Sequence, residues 1–322
     1  MWAYIARRIL LTIPIVFGIV MITMFLFHGV VKDPARAYVG KFATPQALEA
    51  ARARMGINKP KWFDLGALAH GEVKKAFNTQ LFDVILFRFP DSMRYEESIW
   101  SIIKHKGPAS LAIQVPAFLI MTGLELSLAL LAAAKRGTWL DYIITLSAVL
   151  LLSIPPLSLY LVAQGFFGQK LGWFPVAGWD KGIYLIHFAA LPMLITVVIT
   201  VGHGTRLYRT VVLDEIYSDY VRTARAKGVN NREVLFTHVL RNVLIPVITN
   251  TVTTLPSLLL GALLLERIFQ IPGLGGLLVE AIFNNDFPVL MGLTYILAIA
   301  YCVLQLLSDI LYTVVNPQVV LR

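Results

Sequence analysis

An all-α membrane protein is the fold class this sequence predicts, and three observations predict it. Of 322 residues, 57% are hydrophobic and only 15% are charged, where a soluble domain carries about a quarter charged residues. Mean hydropathy is +0.71. Apolar runs close to the ~20 residues that a spanning helix needs recur along the chain. The basic residues between those runs gather in alternate connections, which is how spanning proteins mark one side of the bilayer.

Six runs qualify as spans: 9–31, 109–134, 139–167, 187–207, 244–265 and 289–315. The first follows Arg7 and Arg8 and resembles a signal peptide. The bulky Phe25-Leu26-Phe27-His28 offers no small-residue cleavage site, so it reads as a retained anchor. With six spans, Arg7-Arg8, Lys135-Arg136 and the basic 206–243 connection fall on one side. The opposite connections, 168–186 and 266–288, carry only Lys170, Lys181 and Arg267. That asymmetry puts both termini in the cytoplasm.

The chain then divides into an N-terminal anchor (1–31), an extracytoplasmic insert domain (32–108) and a five-span core (109–322). The insert is basic although it lies outside, but long loops translocate largely regardless of charge. Within it, Thr44 as N-cap, Pro45 at the first helical position and Gly56 past the end predict a helix over 44–54. Residues 62–100 show no clear pattern, and Gly107-Pro108 closes the insert before the second span. Pro14, Pro116, Pro155-Pro156, Pro192 and Pro256 lie within spans, where neighbouring groups re-satisfy the freed carbonyls. Each suits a static kink, and together they suit a bundle that bends.

Several function classes lack support. The single cysteine, Cys302, excludes a disulfide framework and a cysteine metal site. The net charge of +9 has no nucleic-acid-binding module beside it. No His-Glu-x-x-His or Gly-x-Ser-x-Gly pattern is present, so neither a metal centre nor a catalytic residue is expected. Pro272-Gly-Leu-Gly-Gly276 lacks the Gly-Lys-Ser/Thr ending of a phosphate-binding loop and reads as a re-entrant or surface turn. No cofactor is expected.

The segment 219–246, DYVRTARAKGVNNREVLFTHVLRNVLIP, is long enough for two short helices separated by Gly228-Val229-Asn230-Asn231. Ala224 and Gly228 are four apart and share a helical face, where the lack of bulk lets another surface approach. Arg222, Arg225 and Lys227 flank that face and suit acidic groups on a partner. The same charges also suit an ordinary cytoplasmic loop.

The run Tyr220-Val-Arg-Thr-Ala-Arg-Ala-Lys-Gly228, continuing to His238-Val-Leu-Arg-Asn-Val-Leu-Ile-Pro246, is similar to the coupling-loop signature of binding-protein-dependent ABC transporter permeases. More narrowly, it resembles the first permease subunit of dipeptide and oligopeptide importers. The broad signature reads Glu-Ala-Ala, three residues, Gly, nine residues, Ile-x-Leu-Pro. This chain has Arg222 and Thr223 at the Glu and first Ala positions, and its proline is delayed to Pro246, departures shared by the peptide subtype. The likeness extends to Tyr4-Ile-x-Arg-Arg8, to Leu265-Glu266-x-Ile-Phe-x-Ile-Pro-Gly-Leu-Gly-x-Leu-Leu278, and to the ending Asp309-Ile-Leu-Tyr-x-x-x-Asn316-Pro317. Residues 62–108 have no counterpart in it.

The resemblance implies a coupling helix between spans 4 and 5 and an ATPase-docking set of Tyr220, Arg222, Thr223, Ala224, Lys227 and Gly228. It implies a multi-pass subunit of the bacterial inner membrane. Its expected partners are a second related permease, two ATP-binding cassette ATPases and an extracytoplasmic solute-binding protein. Hydrolysis would lie on the ATPases, so the chain itself is not expected to be an enzyme. Glu125 and Asp309 lie within spans, where a charge is costly and marks function by default. Three readings are open for them: bonds within the bundle, a proton relay that would make this a secondary transporter, and, for Glu125, a substrate-facing group suited to a peptide's ammonium end.

Overall fold

The computed structural model describes residues 2–29, 33–40, 43–62, 70, 72, 78–180, 182–230, 233–258 and 263–315. Regular structure among them is helical throughout, with no strand. In chain order the helices are α1 (Trp2–Gly29), α2 (Pro34–Val39), α3 (Pro45–Arg54), α4 (Gln80–Ile85), α5 (Ile99–Ala134), α6 (Trp139–Ser153), α7 (Pro156–Ala163), α8 (Leu185–Ile216), α9 (Asp219–Ala226), α10 (Leu240–Thr254), α11 (Leu263–Ile268), α12 (Leu274–Phe283) and α13 (Phe287–Val315). Two compact units result. One comprises residues 1–110, 259–267 and 272–306, and the other 111–258, 268–271 and 307–322.

Among the described residues, four helical stretches are long and apolar enough to cross a membrane: Ile99–Ala134, Leu185–Ile216, Val234–Thr254 and Phe287–Leu311. The bent pair Trp139–Ser153 and Pro156–Lys170 makes a fifth if it is one span, and α1 contributes the apolar stretch Ile9–Phe25. Only 22–39% of each long candidate is buried within the chain. Large apolar side chains such as Leu10, Phe25 and Ile186 stand outward, as lipid or partner helices require and water does not permit.

In the first unit, the residues after α1 fold back onto membrane helices. Ala35, Ala51, Met55, Leu81, Val84 and Met93 form one buried cluster with Val20 and Met24 of α1 and with Phe287, Met291 and Tyr295 of α13. The local starts are explicit. Thr44 accepts from Ala47 N and caps α3, and Gly56 beyond its end has φ +67, as the sequence predicts. Thr79 caps α4 in the same way. Asp286 is buried where α13 begins. It accepts from Ser92 Oγ at 2.6 Å, from the backbone N–H groups of Met93 and Arg94 at 3.3 Å each, and from Val289 N at 3.4 Å. One carboxylate thus caps α13 and fixes the 92–94 turn. Beside it, Tyr95 donates to Glu280 at 2.8 Å, and burial followed by that bond pushes the phenol up to about 12.

The second span starts earlier than the sequence suggests. Gly107-Pro108 lies inside α5, whose first turn is capped by Ser98 Oγ accepting from Ser101 N at 3.2 Å. Ile99 and Ile102 of that turn are buried with Leu277, Ala281, Val289 and Leu293. This packing holds a helix that loses one hydrogen bond at the exposed Pro108.

In the second unit, the third predicted span is two helices meeting at 99°. Pro155 and Pro156 are adjacent, so two consecutive N–H donors are missing and the ladder stops there. Pro14, Pro192 and Pro246 are absorbed within α1, α8 and α10, whereas Pro256 lies in the 3₁₀ turn Leu255–Leu258 that follows α10. The fifth span also begins earlier than predicted. The π-helical turn Val234–Val239 runs directly into α10, so the expected second short helix of the connection is the foot of the span.

Helices α6 and α8 touch backbone to backbone. A Cβ on Gly202 would lie 2.7 Å from Ala148 O, the small-residue contact that membrane helices use to approach closely. The same pair is clamped by a two-pronged ion pair. Arg209 donates through Nε to Asp141 Oδ1 and through Nη2 to Oδ2, both at 2.7 Å, and Gly137 N adds a bond at 3.0 Å.

Replacing one partner of a buried pair strands the other, at about 3–5 kcal/mol. Asp141→Asn is therefore expected to lower the thermal unfolding temperature in detergent strongly, and adding Arg209→Met to recover most of the loss. A single-variant cost below about 1 kcal/mol, as for a solvated pair, would contradict the clamp.

Candidate functional site

The connection between α8 and α10 is built around an amphipathic helix. On α9, Val221 and Ala224 are three apart and point inward, while Tyr220, Arg222, Thr223, Arg225 and Ala226 are exposed, followed by exposed Lys227 and Gly228. Val221 and Ala224 join a buried cluster with Ala129, Leu130 and Ala133 of α5, Tyr208 and Val212 of α8, Val234 and Val239 of the π turn, and Val243 and Val247 of α10. Three long helices are thereby tied to one short one. Tyr220 bonds Glu215, and Ser218 Oγ donates to Glu215 O at 2.7 Å, which sets the angle at which α9 leaves α8.

Ala224 and Gly228 do not share a helical face in the structure. Ala224 faces the chain's own core, where its small side chain lets α9 settle on the bundle. Gly228 lies past the helix end with φ +83. Gly228 N donates to Arg225 O at 3.0 Å and Val229 N to Ala224 O at 3.2 Å, a left-handed stop that only glycine adopts without strain. The face left open is Tyr220, Arg222, Thr223 and Lys227, with Arg225. Sequence reasoning gave Arg136 no role here. It donates to the Tyr217 hydroxyl at 2.6 Å and, with Arg225, Ile216 and Leu235, lines a recess of about 270 Å³ under α9.

A second recess of about 290 Å³ lies between α5, α8 and α10, and Glu125 is among its lining residues. Glu125 is buried, with 4% of the residue exposed. Its carboxylate lies against Gly204. A Cβ at Gly204 would overlap the carboxylate, so the glycine makes room for the acid. Thr122, Thr200, Thr251 and Thr254 share the lining with Asn250, Tyr208 and the exposed His203. Asn250 Nδ2 donates to the Tyr208 hydroxyl at 3.0 Å. Tyr208 therefore belongs both to this recess and to the cluster that seats α9.

The glycine-rich 272–276 motif opens a helix. Gly273 precedes α12, and the start of that helix closes around a buried carboxylate. Gly276 N donates to Glu266 Oε2 at 2.8 Å, Ser110 Oγ donates to Glu266 Oε1 at 2.7 Å, and Leu274 N donates to Ser110 Oγ at 2.9 Å. A Cβ at Gly273 would overlap both Glu266 and Ser110. The motif is an anion cradle after all, filled by the chain's own acid.

Asp309 lies half-buried on α13, next to Ser308, whose hydroxyl donates to Val252 O at 2.6 Å. Asn316 and Pro317 lie outside the described residues. Among the described residues, no group of three His, Cys, Asp or Glu side chains is placed to hold a metal ion.

Comparison with known proteins covers nearly the whole length, including residues 62–108, for which the sequence resemblance gave no counterpart. Residues 125–321 match the model of the binding-protein-dependent transport system inner membrane component, and residues 1–114 match the N-terminal model of the same membrane component. The oligopeptide transport system permease protein of Bacillus subtilis is 31% identical over 329 residues, covering 99% of both chains. The dipeptide transport system permease protein of Alkalihalophilus pseudofirmus is 29% identical over 347 residues, again 99% of both. The di/tripeptide transport system permease protein of Pseudomonas aeruginosa is 30% identical over 348 residues with the same coverage. The chain belongs to the family of binding-protein-dependent transport system inner membrane components.

Proposed function

We propose that this chain is one permease subunit of an ATP-driven importer for peptides or similar small solutes. The observation that carries the reading is end-to-end similarity to peptide-transport permeases, at 99% coverage of both chains. In this reading α1, the bent α6–α7 pair and the four long helical stretches make six spans of a bacterial inner membrane. Both termini are cytoplasmic, the insert 32–108 lies outside, and the five-span core is 109–322. The working complex adds a second related permease, two ATPases and an extracytoplasmic solute-binding protein. The proton-coupled alternative through Glu125 or Asp309 is not favoured, because the family is one of binding-protein-dependent transport.

The mechanism is alternating access. The ATPases grip the exposed face of α9 at Tyr220, Arg222, Thr223 and Lys227, while Gly228 sets where that helix ends and Ala224 roots it in the bundle. Movement of the ATPases on ATP binding displaces α9. Its rooted residues touch α5, α8 and α10 at close-packed contacts, which transmit displacement because packed interiors are poorly compressible. Docking shifts the equilibrium between inward- and outward-open forms only by its difference in affinity for the two. Glu125 lines the solute's route.

Affinity purification of the chain in mild detergent is expected to bring both ATPases with it. Reversing the exposed charges (Arg222→Glu with Lys227→Glu) is expected to reduce the retained ATPase about tenfold or more, the scale of removing buried interfacial charge pairs. Full retention with normal uptake would remove α9 from the docking interface. Glu125→Gln is expected to lower peptide uptake about tenfold at equal expression, whereas unchanged uptake would take Glu125 out of the route.

A further inference from the structure

The recess around Glu125 has a chemical bias that its residue list conceals. Three threonines in its lining spend their hydroxyl protons on backbone carbonyls. Thr122 donates to Phe118 O at 2.9 Å, Thr200 to Thr196 O at 2.7 Å and Thr251 to Val247 O at 2.8 Å. A hydroxyl used in this way offers a ligand acceptor oxygen and no donor. The Asn250 amide is turned with its NH₂ on Tyr208, which leaves the carbonyl end as an acceptor. The Glu125 carboxylate is an acceptor wherever it is ionised. Donors are fewer, coming down to the Tyr208 O–H, the second N–H of Asn250 and the exposed His203.

We propose that this recess is a recognition station for a primary ammonium group, the free amino terminus of a peptide in transit. An ammonium brings three donors and a positive charge. It can bond the Glu125 carboxylate and two neighbouring acceptors at once, and it supplies the counter-charge that a buried carboxylate otherwise lacks. A peptide's carboxylate end meets mostly acceptors there, beside the like charge of Glu125, and is disfavoured, so the station also biases which end enters. The inward-directed hydroxyls matter as much as the acid, because a threonine free to rotate would serve anions and cations alike. Gly204 completes the site by leaving room for the carboxylate between α5 and α8. The inference rests on the peptide-importer reading and goes beyond it, since it assigns discrimination to the permease as well as to the solute-binding protein.

The test uses the complete complex in proteoliposomes, energised with ATP and supplied with one solute-binding protein throughout. Uptake of a dipeptide is compared with that of its N-acetylated form, and the ratio of the two rates is read, so selectivity due to the binding protein cancels between variants. Glu125→Gln is expected to reduce the wild-type preference for the free amine about tenfold, and Glu125→Asp to keep most of it. A Glu125→Gln ratio equal to wild type overturns the station while leaving the importer intact. A wild-type complex that moves neither peptide overturns the importer reading and the station with it. Should Glu125→Gln fail to assemble, a photoreactive dipeptide on the wild-type complex decides. Cross-links at 121–125 or 199–204 from the free-amine probe alone support the station. Equal labelling by the N-acetylated probe, or no labelling there during active transport, overturns it.

Discussion

Hydrocarbon offers the backbone no hydrogen-bond partner, and the rest of this structure follows from that constraint. Every N–H and C=O at membrane depth has to be paired within the segment, which leaves helices as the form an open chain can take. The constraint reaches the side chains as well. Thr122, Thr196, Thr200, Thr249 and Thr251 each return their hydroxyl proton to the carbonyl four residues earlier. At Pro155-Pro156, where two consecutive donors are missing, the helix ends and the chain turns by 99°.

Carboxylates are the harder case, and three of them are solved in three ways. Asp141 is held by a bidentate arginine on the neighbouring helix. Glu266 is enclosed by a glycine-rich helix start and a serine, and takes one bond from the Gly276 N–H and one from the Ser110 hydroxyl. Glu125 lies against Gly204 beside a recess rich in acceptors. The first two are held by direct bonds from neighbouring groups, and they read as structure. Glu125 alone faces open volume, which is why the proposed function gives it to the solute. Tyr208 touches both that volume and the residues seating α9, so in the proposed mechanism a displacement of α9 would reach the recess through one rigid ring.

Much of this was legible in the sequence where the signal is local. Thr44, Pro45 and Gly56 bracket α3 because caps depend on a few adjacent residues. The apolar runs located the membrane helices, but not their ends. The first turns of α5 carry Lys104, His105 and Lys106, and the last turns of α8 carry Arg206 and Arg209, which hydropathy reads as loop. Tertiary packing of Ile99 and Ile102, and the Asp141 clamp on Arg209, keep those turns helical. The orientation of Ala224 was misread because a small residue fits either face of a helix. Val221, three residues earlier, marked the inward face and was the available clue. The pairing of Glu266 with Ser110 joins positions 156 apart, and Arg136 reaches Tyr217 across 81 positions. No spacing rule on a single sequence reveals such contacts.

The central claim is that transport through this chain is driven by ATP hydrolysed on partner subunits and relayed through α9. The most direct measurement is peptide uptake by the reconstituted complex, with the proton gradient collapsed by an ionophore and ATP supplied to the ATPase side. The account predicts accumulation that requires ATP and is indifferent to the ionophore. Uptake that persists without ATP and disappears with the ionophore would contradict it.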